Sequence, residues 1–142
     1  MNEKPTTSGG TCYRILLIED HPELGAVTAE MLRLKGQEVL LVRTGGEGIA
    51  QAKEASPDVV ICDLNLPDIT GREVARRLRT EAASGTVLVG LSAYDPEVVR
   101  QEGGDAFDLY LSKPLNWEKL EKSLAGRGRG RQRPPTIEDA PR

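Results

Sequence analysis

Five short apolar runs, each followed by a stretch of helical periodicity, predict a doubly wound α/β domain built on a five-stranded parallel sheet. The runs recur at roughly 22-residue intervals along the chain, which leaves no room for β-hairpins between them. Strands joined by helical crossovers run parallel, and the helices cover both faces of the sheet. With right-handed crossovers the common order for five such strands is 2-1-3-4-5. A ligand site in that order lies beyond the carboxyl ends of the first and third strands.

RILLIED at 14–20 is the first strand, an apolar run that ends in acids. Pro22 suits a first helical turn, and Leu24, Val27, Thr28, Met31 and Leu32 recur at helical spacing until Gly36 stops the helix. EVLLV at 38–42 is the second strand. Gly45 and Gly46 read as a turn leading into a helix over 47–55, closed by Ser56, Pro57 and Asp58. VVIC at 59–62 is the third strand. The third helix spans 71–83, with Val74, Leu78 and Ala82 inward and Arg72, Arg76 and Arg79 outward. TVLVGLS at 86–92 is the fourth strand, and a short helix over 96–102 ends at Gly103 and Gly104. FDLYL at 107–111 is the fifth strand, and Trp117, Leu120 and Leu124 stripe the packing face of a last helix.

The organisation that follows is a flexible lead over 1–12, one folded domain over 13–125, and a disordered Arg/Gly/Pro-rich tail over 126–142. Net charge is −3 for the 142 residues, yet the tail holds five arginines against Glu138 and Asp139, so the remainder carries −6. A folded nucleic-acid-binding face has the opposite footprint. No specific nucleic-acid partner is expected, and the tail reads as solubilising. The longest aliphatic runs are about four residues, too short to span a bilayer. The polar N-terminus has no apolar core of a secretory signal. A cytoplasmic protein without a membrane partner is expected. Cys12 and Cys62 read as two reduced thiols, since two cysteines make no disulfide framework. Met1 and the long polar tail read as a complete product. No DNA-binding or enzymatic domain follows residue 125, so output is expected through protein contacts.

Chemistry collects at the predicted ligand edge. Glu19 and Asp20 end the first strand, Asp63 the third and Ser92 the fourth, while Lys113 stands just past the fifth. Three carboxylates in one pocket repel, each pair by roughly 4 kcal/mol at about 4 Å and an effective dielectric near 20. Such a pocket either protonates one acid or holds a cation. Hard oxygen ligands with no His or Cys cluster favour Mg²⁺. A Mg²⁺ beside a lysine stabilises a transferring phosphoryl group, and Asp63 can then act as nucleophile and form an aspartyl phosphate. The blander role for Asp63, a strand-end cap, leaves the convergence of the other acids and Lys113 unexplained. Asp20 also precedes His21 and Pro22 where it would cap the first helix. His21, the only histidine, reads as a surface residue.

Four motifs in order then carry a resemblance: Glu19-Asp20, DLNLPDITG at 63–71, LSA at 91–93 and YLSKP at 110–114. With them the chain resembles, over residues 13–125, a response-regulator receiver domain of the stand-alone type, the phosphoacceptor half of two-component signalling. The fold implied is the flavodoxin-like, receiver-like sheet of order 2-1-3-4-5. The resemblance makes Asp63 the phosphorylated residue, with Mg²⁺ held by Asp20, Asp63 and the backbone carbonyl of Asn65, and with Glu19 acting through a water. It makes Ser92 the hydroxyl that bonds the phosphoryl oxygen, Lys113 the cation that pairs with it, and Tyr110 the switch aromatic that moves inward with Ser92. The implied donor is a sensor histidine kinase or a histidine phosphotransfer protein. The implied output is a changed surface of the fourth helix, fifth strand and fifth helix, offered to a downstream protein target or to a second copy in a weak homodimer. Passing the phosphoryl group along a relay is the other implied output.

The chain departs from the family pattern at three places. Its acid pair is Glu-Asp where Asp-Asp is equally familiar, Ser92 stands where many members have threonine, and Ala106 stands where glycine is usual. Serine lacks the methyl that stiffens χ1, which loosens its coupling to Tyr110; an alanine forced to positive φ would cost roughly 1 kcal/mol. Three rival readings conflict with these residues. A phosphorylation-independent pseudo-receiver acting as an adaptor conflicts with the intact acid, serine and lysine set. An aspartyl-nucleophile phosphatase needs a second acid where Asn65 stands; the protein is therefore expected to be a signalling receiver that catalyses only its own phosphorylation and slow dephosphorylation. A flavodoxin-like cofactor binder conflicts with an acidic loop that repels phosphate.

Overall fold

The computed structural model describes residues 11–81, 85–103, 106–126 and 131–132. Five parallel strands, β1 (Arg14–Ile18), β2 (Glu38–Val42), β3 (Val59–Asp63), β4 (Val87–Ser92) and β5 (Leu109–Ser112), form one sheet of spatial order β2-β1-β3-β4-β5. Helices α1 (Pro22–Leu34), α2 (Gly45–Ala55), α3 (Gly71–Glu81), α4 (Pro96–Gly103) and α5 (Trp117–Gly126) alternate with the strands. This is the expected 2-1-3-4-5 sheet.

Alternation along each strand builds two cores, one per face. Ile15, Leu17, Val59, Ile61, Val89 and Leu111 pack with Ala29 and Leu32 of α1 and with Trp117, Leu120 and Leu124 of α5. Leu16, Ile18, Val60, Cys62 and Leu88 face the other way, against Ile49 and Ala52 of α2 and Val74, Ala75 and Leu78 of α3. Burying each Ile, Leu or Val of this kind is worth roughly 1.5–3 kcal/mol. Trp117 is buried in an edge-to-face pair with Tyr13, ring centroids 6.0 Å apart, and has the packing role expected of it.

Register brings the strand ends level. Ile18 lies opposite Val42 and Cys62, Asp63 opposite Leu91, and Ser92 opposite Ser112. The residues that leave the sheet at this edge are therefore neighbours in space although they come from distant parts of the chain.

Several boundaries differ from the sequence expectation. α2 begins at Gly45, because Thr44 caps it: the Glu47 N–H donates to Thr44 Oγ1 at 3.1 Å, and the Arg43 N–H donates to Glu47 Oε1 at 3.1 Å. The first bond caps the helix, and the second ties Glu47 back to the residue before the cap, so the helix start is held despite the two glycines. The N-cap of α1 is His21 rather than Asp20, its Nδ1 accepting from the Leu24 N–H at 3.1 Å. β1 ends at Ile18, β4 begins at Val87, and β5 runs from Leu109 to Ser112, with Phe107 before it packing edge-to-face on Tyr110. α3 is described as far as Glu81, and the inward Ala82 and the Ala83 end lie outside the described residues, as does Gly104. Ala106 carries no left-handed strain, since Ser56 is the one non-glycine at positive φ among the described residues.

Thr11–Cys12 and Arg131–Gln132 pair antiparallel as a separate two-stranded ladder. Four residues assigned from composition to a flexible lead and a disordered tail thus meet; residues 1–10, 127–130 and 133–142 of those segments lie outside the described residues. Cys12 and Cys62 are both buried and form no disulfide with each other, as expected.

Candidate functional site

Glu19, Asp20 and Asp63 stand together just past the sheet edge, each able to place one carboxylate oxygen within 4.8 Å of the others. Glu19 and Asp63 are 2% and 6% exposed, so two of the three charges are almost out of water. Asp20 is half-buried. Lys113 Nζ lies 3.2 Å from Asp63 Oδ2 and 3.3 Å from Glu19 Oε1, and it is the cation that ties the first and third strands together. Its own backbone is fixed by its N–H, which donates to the Ser92 carbonyl at 2.7 Å; the following Lys113–Pro114 peptide is cis.

Burial pushes the Glu19 carboxyl above its ordinary range, and Asp63 adds to the rise; the His21 N–H and Lys113 oppose it. Burial works to lower the Lys113 ammonium, but Asp63 and Glu19 outweigh it and hold the group above its ordinary value. One lysine against three carboxylates leaves the site net negative. The donors are hard oxygens at one focus, which fits Mg²⁺. Asn65 is exposed on the loop after β3, its N–H donating to Asp63 Oδ1 at 3.1 Å.

That loop folds back tightly. A Cβ on Gly71 would sit 2.6 Å from the Asp63 carbonyl oxygen and 2.8 Å from Leu64 Cα, so only glycine lets α3 start against the strand end. The Gly71 N–H donates to the Leu64 carbonyl at 3.0 Å and closes the loop.

Ser92 is buried at the end of β4, its Oγ accepting from the Tyr94 N–H at 3.0 Å. Tyr110 is 6% exposed, with the Arg100 guanidinium 5.7 Å from its ring centroid. Between Ser92 and Tyr110 opens a cavity of about 360 Å³, also lined by Asn65, Arg72, Tyr94 and Phe107. The structure therefore brings Glu19, Asp20, Asp63, Asn65 and Lys113 into one focus and sets Ser92 and Tyr110 around an adjoining space.

Residues 15–125 match the response regulator receiver domain family. The chain belongs to that family. The receiver is 35% identical over 118 residues to the transcriptional regulatory protein TrcR of Mycobacterium tuberculosis, covering 82% of this chain and 46% of TrcR. It is 35% identical over 115 residues to protein PilH of Pseudomonas aeruginosa, covering 78% of this chain and 93% of PilH. It thus spans about half of one relative and nearly all of the other. Among solved structures, the receiver domain of sensor histidine kinase PA1611 from P. aeruginosa superposes with a TM-score of 0.68, with 29% identity over 82% of this chain and 96% of that one. That structure holds a magnesium ion in its active-site cleft. Among the described residues of the receiver, no helix is long and apolar enough to cross a membrane.

Three contacts were invisible in the sequence. Asp68, 23 residues from Gly45, bonds the start of α2; Tyr94 bonds Ser92; Arg100 covers Tyr110. The Asp68 and Arg100 contacts join segments that only the fold brings together, whereas the Tyr94 N–H reaches Ser92 Oγ across just two residues in the turn after the fourth strand.

Proposed function

We propose that the receiver accepts one phosphoryl group on Asp63 from a phosphohistidine of a sensor histidine kinase or histidine phosphotransfer protein, with Mg²⁺ as cofactor. The observation that carries this is Lys113 Nζ within 3.3 Å of both Asp63 and Glu19, beside a third carboxylate at one sheet edge. A carboxylate oxygen of Asp63 forms the new bond to phosphorus. The P–N bond breaks, and the donor imidazole keeps the electron pair and takes up a proton. Lys113 pairs with the incoming charge, and the Ser92 hydroxyl donates to a phosphoryl oxygen. Asp20, Asp63 and the Asn65 carbonyl would hold Mg²⁺, with Glu19 acting through a water; when bound, the ion neutralises charge on the transferring oxygens.

Ser92 Oγ accepts from the Tyr94 N–H and keeps its own hydrogen to donate to the phosphoryl group, and the cavity beside Tyr110 gives the ring room to respond. The resulting bias falls on the surface of α4, β5 and α5, which meets a downstream protein, a second copy, or the next member of a relay. Asn65 offers no general base for hydrolysis, so self-dephosphorylation is slow. The site of action is the cytoplasm, and no specific nucleic acid is recognised.

The test is an intact-mass measurement after incubation with acetyl phosphate, with and without Mg²⁺. A Mg²⁺-dependent gain of one phosphoryl group, lost in Asp63→Ala, is expected. A folded protein that gains none overturns the proposal in favour of a phosphorylation-independent adaptor.

A further inference from the structure

The loop after β3 is anchored at its far end by Asp68. Its Oδ1 accepts from the Gly45 N–H at 2.9 Å and its Oδ2 from the Gly46 N–H at 2.8 Å. Both donors belong to the first turn of α2, which already has its own cap in Thr44 and Glu47. Asp68 is therefore an added tie from outside the helix. The two amides hold its carboxyl below the ordinary aspartate range, as a bonded and charged partner requires. The contact is close because Gly45 has no side chain: a Cβ there would meet Ile69 Cγ1 at 2.6 Å and Val74 Cγ2 at 2.8 Å.

Between the anchored end at Asp68 and the strand end at Asp63 lies Asn65. Its exposed backbone is otherwise fixed by its own N–H on Asp63 Oδ1. We infer that Asp68 is a positioning residue, clamping the loop on α2 so that the Asn65 carbonyl faces the acidic cluster and completes the Mg²⁺ site. The inference rests on the proposed function and adds a residue to it. Coupling of this kind is reciprocal. If the clamp favours Mg²⁺, then Mg²⁺ must tighten the clamp.

The experiment is a calorimetric Mg²⁺ titration of the full chain beside Asp68→Ala and Thr44→Ala. The second variant removes a cap from the same helix but leaves the loop tie in place. Asp68→Ala is expected to weaken Mg²⁺ affinity about tenfold, the usual scale for losing a partner that orients a metal ligand. Thr44→Ala keeps the wild-type affinity. Phosphorylation by acetyl phosphate then needs about tenfold more Mg²⁺ in Asp68→Ala, with the rate at saturating Mg²⁺ within about twofold of wild type. In the wild type, Mg²⁺ slows hydrogen exchange at the Gly45 and Gly46 amides, a readout that needs no variant to fold. Wild-type Mg²⁺ affinity in Asp68→Ala, equal weakening in Thr44→Ala, or exchange that ignores Mg²⁺ would each overturn the inference and leave the proposed function standing. A wild-type chain that binds no Mg²⁺ would overturn both.

Discussion

Glu19 shows how a single residue is set against its surroundings. Its carboxylate is buried with Asp63 nearby, and its relief comes from Lys113 and from the His21 N–H at 3.2 Å. The folded protein consequently holds the Glu19 proton to higher pH than the unfolded chain does. Unfolding releases that proton, so this contribution to stability is present below pH 4.5 and is lost as pH rises through the raised folded value. In chelator, Glu19→Gln should flatten the fall in melting temperature as pH rises above 4.5. Unchanged melting curves across that range would mean that Lys113 fully compensates the charge. That Glu19, Asp20, Asp63 and Lys113 meet was legible in the sequence, because strand ends in this topology deliver their next residue to one edge. The division of labour among them was not, since burial and the reach of Lys113 are properties of the assembled edge.

At the scale of elements, glycines decide where helices begin. Gly45 and Gly46 read as a turn in the sequence, yet they form the first turn of α2 because Thr44 and Asp68 satisfy their neighbourhood. His21 carries no sequence signal as a cap because histidine is not among the preferred capping residues, and Phe107 carries a strand signal because aromatic residues favour strands. The two α-helical starts make opposite predictions for alanine. Gly71→Ala drives a Cβ into the Asp63 carbonyl and Leu64 Cα, which are backbone and cannot give. It should cost about 2 kcal/mol or more in urea unfolding and reduce phosphorylation of Asp63. Gly46→Ala meets only Asp68 Oδ2 at 3.5 Å, ordinary contact distance, and should be neutral or stabilising by up to about 1 kcal/mol. Equal losses in both variants would show that the close approach at Gly71 does not constrain the loop.

For the whole molecule, a parallel sheet with helices on both faces was readable from alternation and spacing, because those patterns repeat over the full domain, and its strand order followed from the common order for five such strands. The ladder joining Thr11–Cys12 to Arg131–Gln132 was not, for its two members are two residues each and carry no periodicity. The sheet is also a partition. Trp117 and Tyr13 lie in the core under α1 and α5, while Tyr110, Phe107 and the cavity beside Ser92 lie on the opposite face. The chain's only tryptophan is therefore a spectroscopic reporter insulated from the proposed switch at Ser92 and Tyr110. Its emission should redshift fully on unfolding yet stay flat through a Mg²⁺ titration. A quench that tracks Mg²⁺ saturation would instead mean that the signal crosses the sheet. An optical assay of activation thus calls for a dye placed on the α4 side, with the native indole kept as the built-in control for folding.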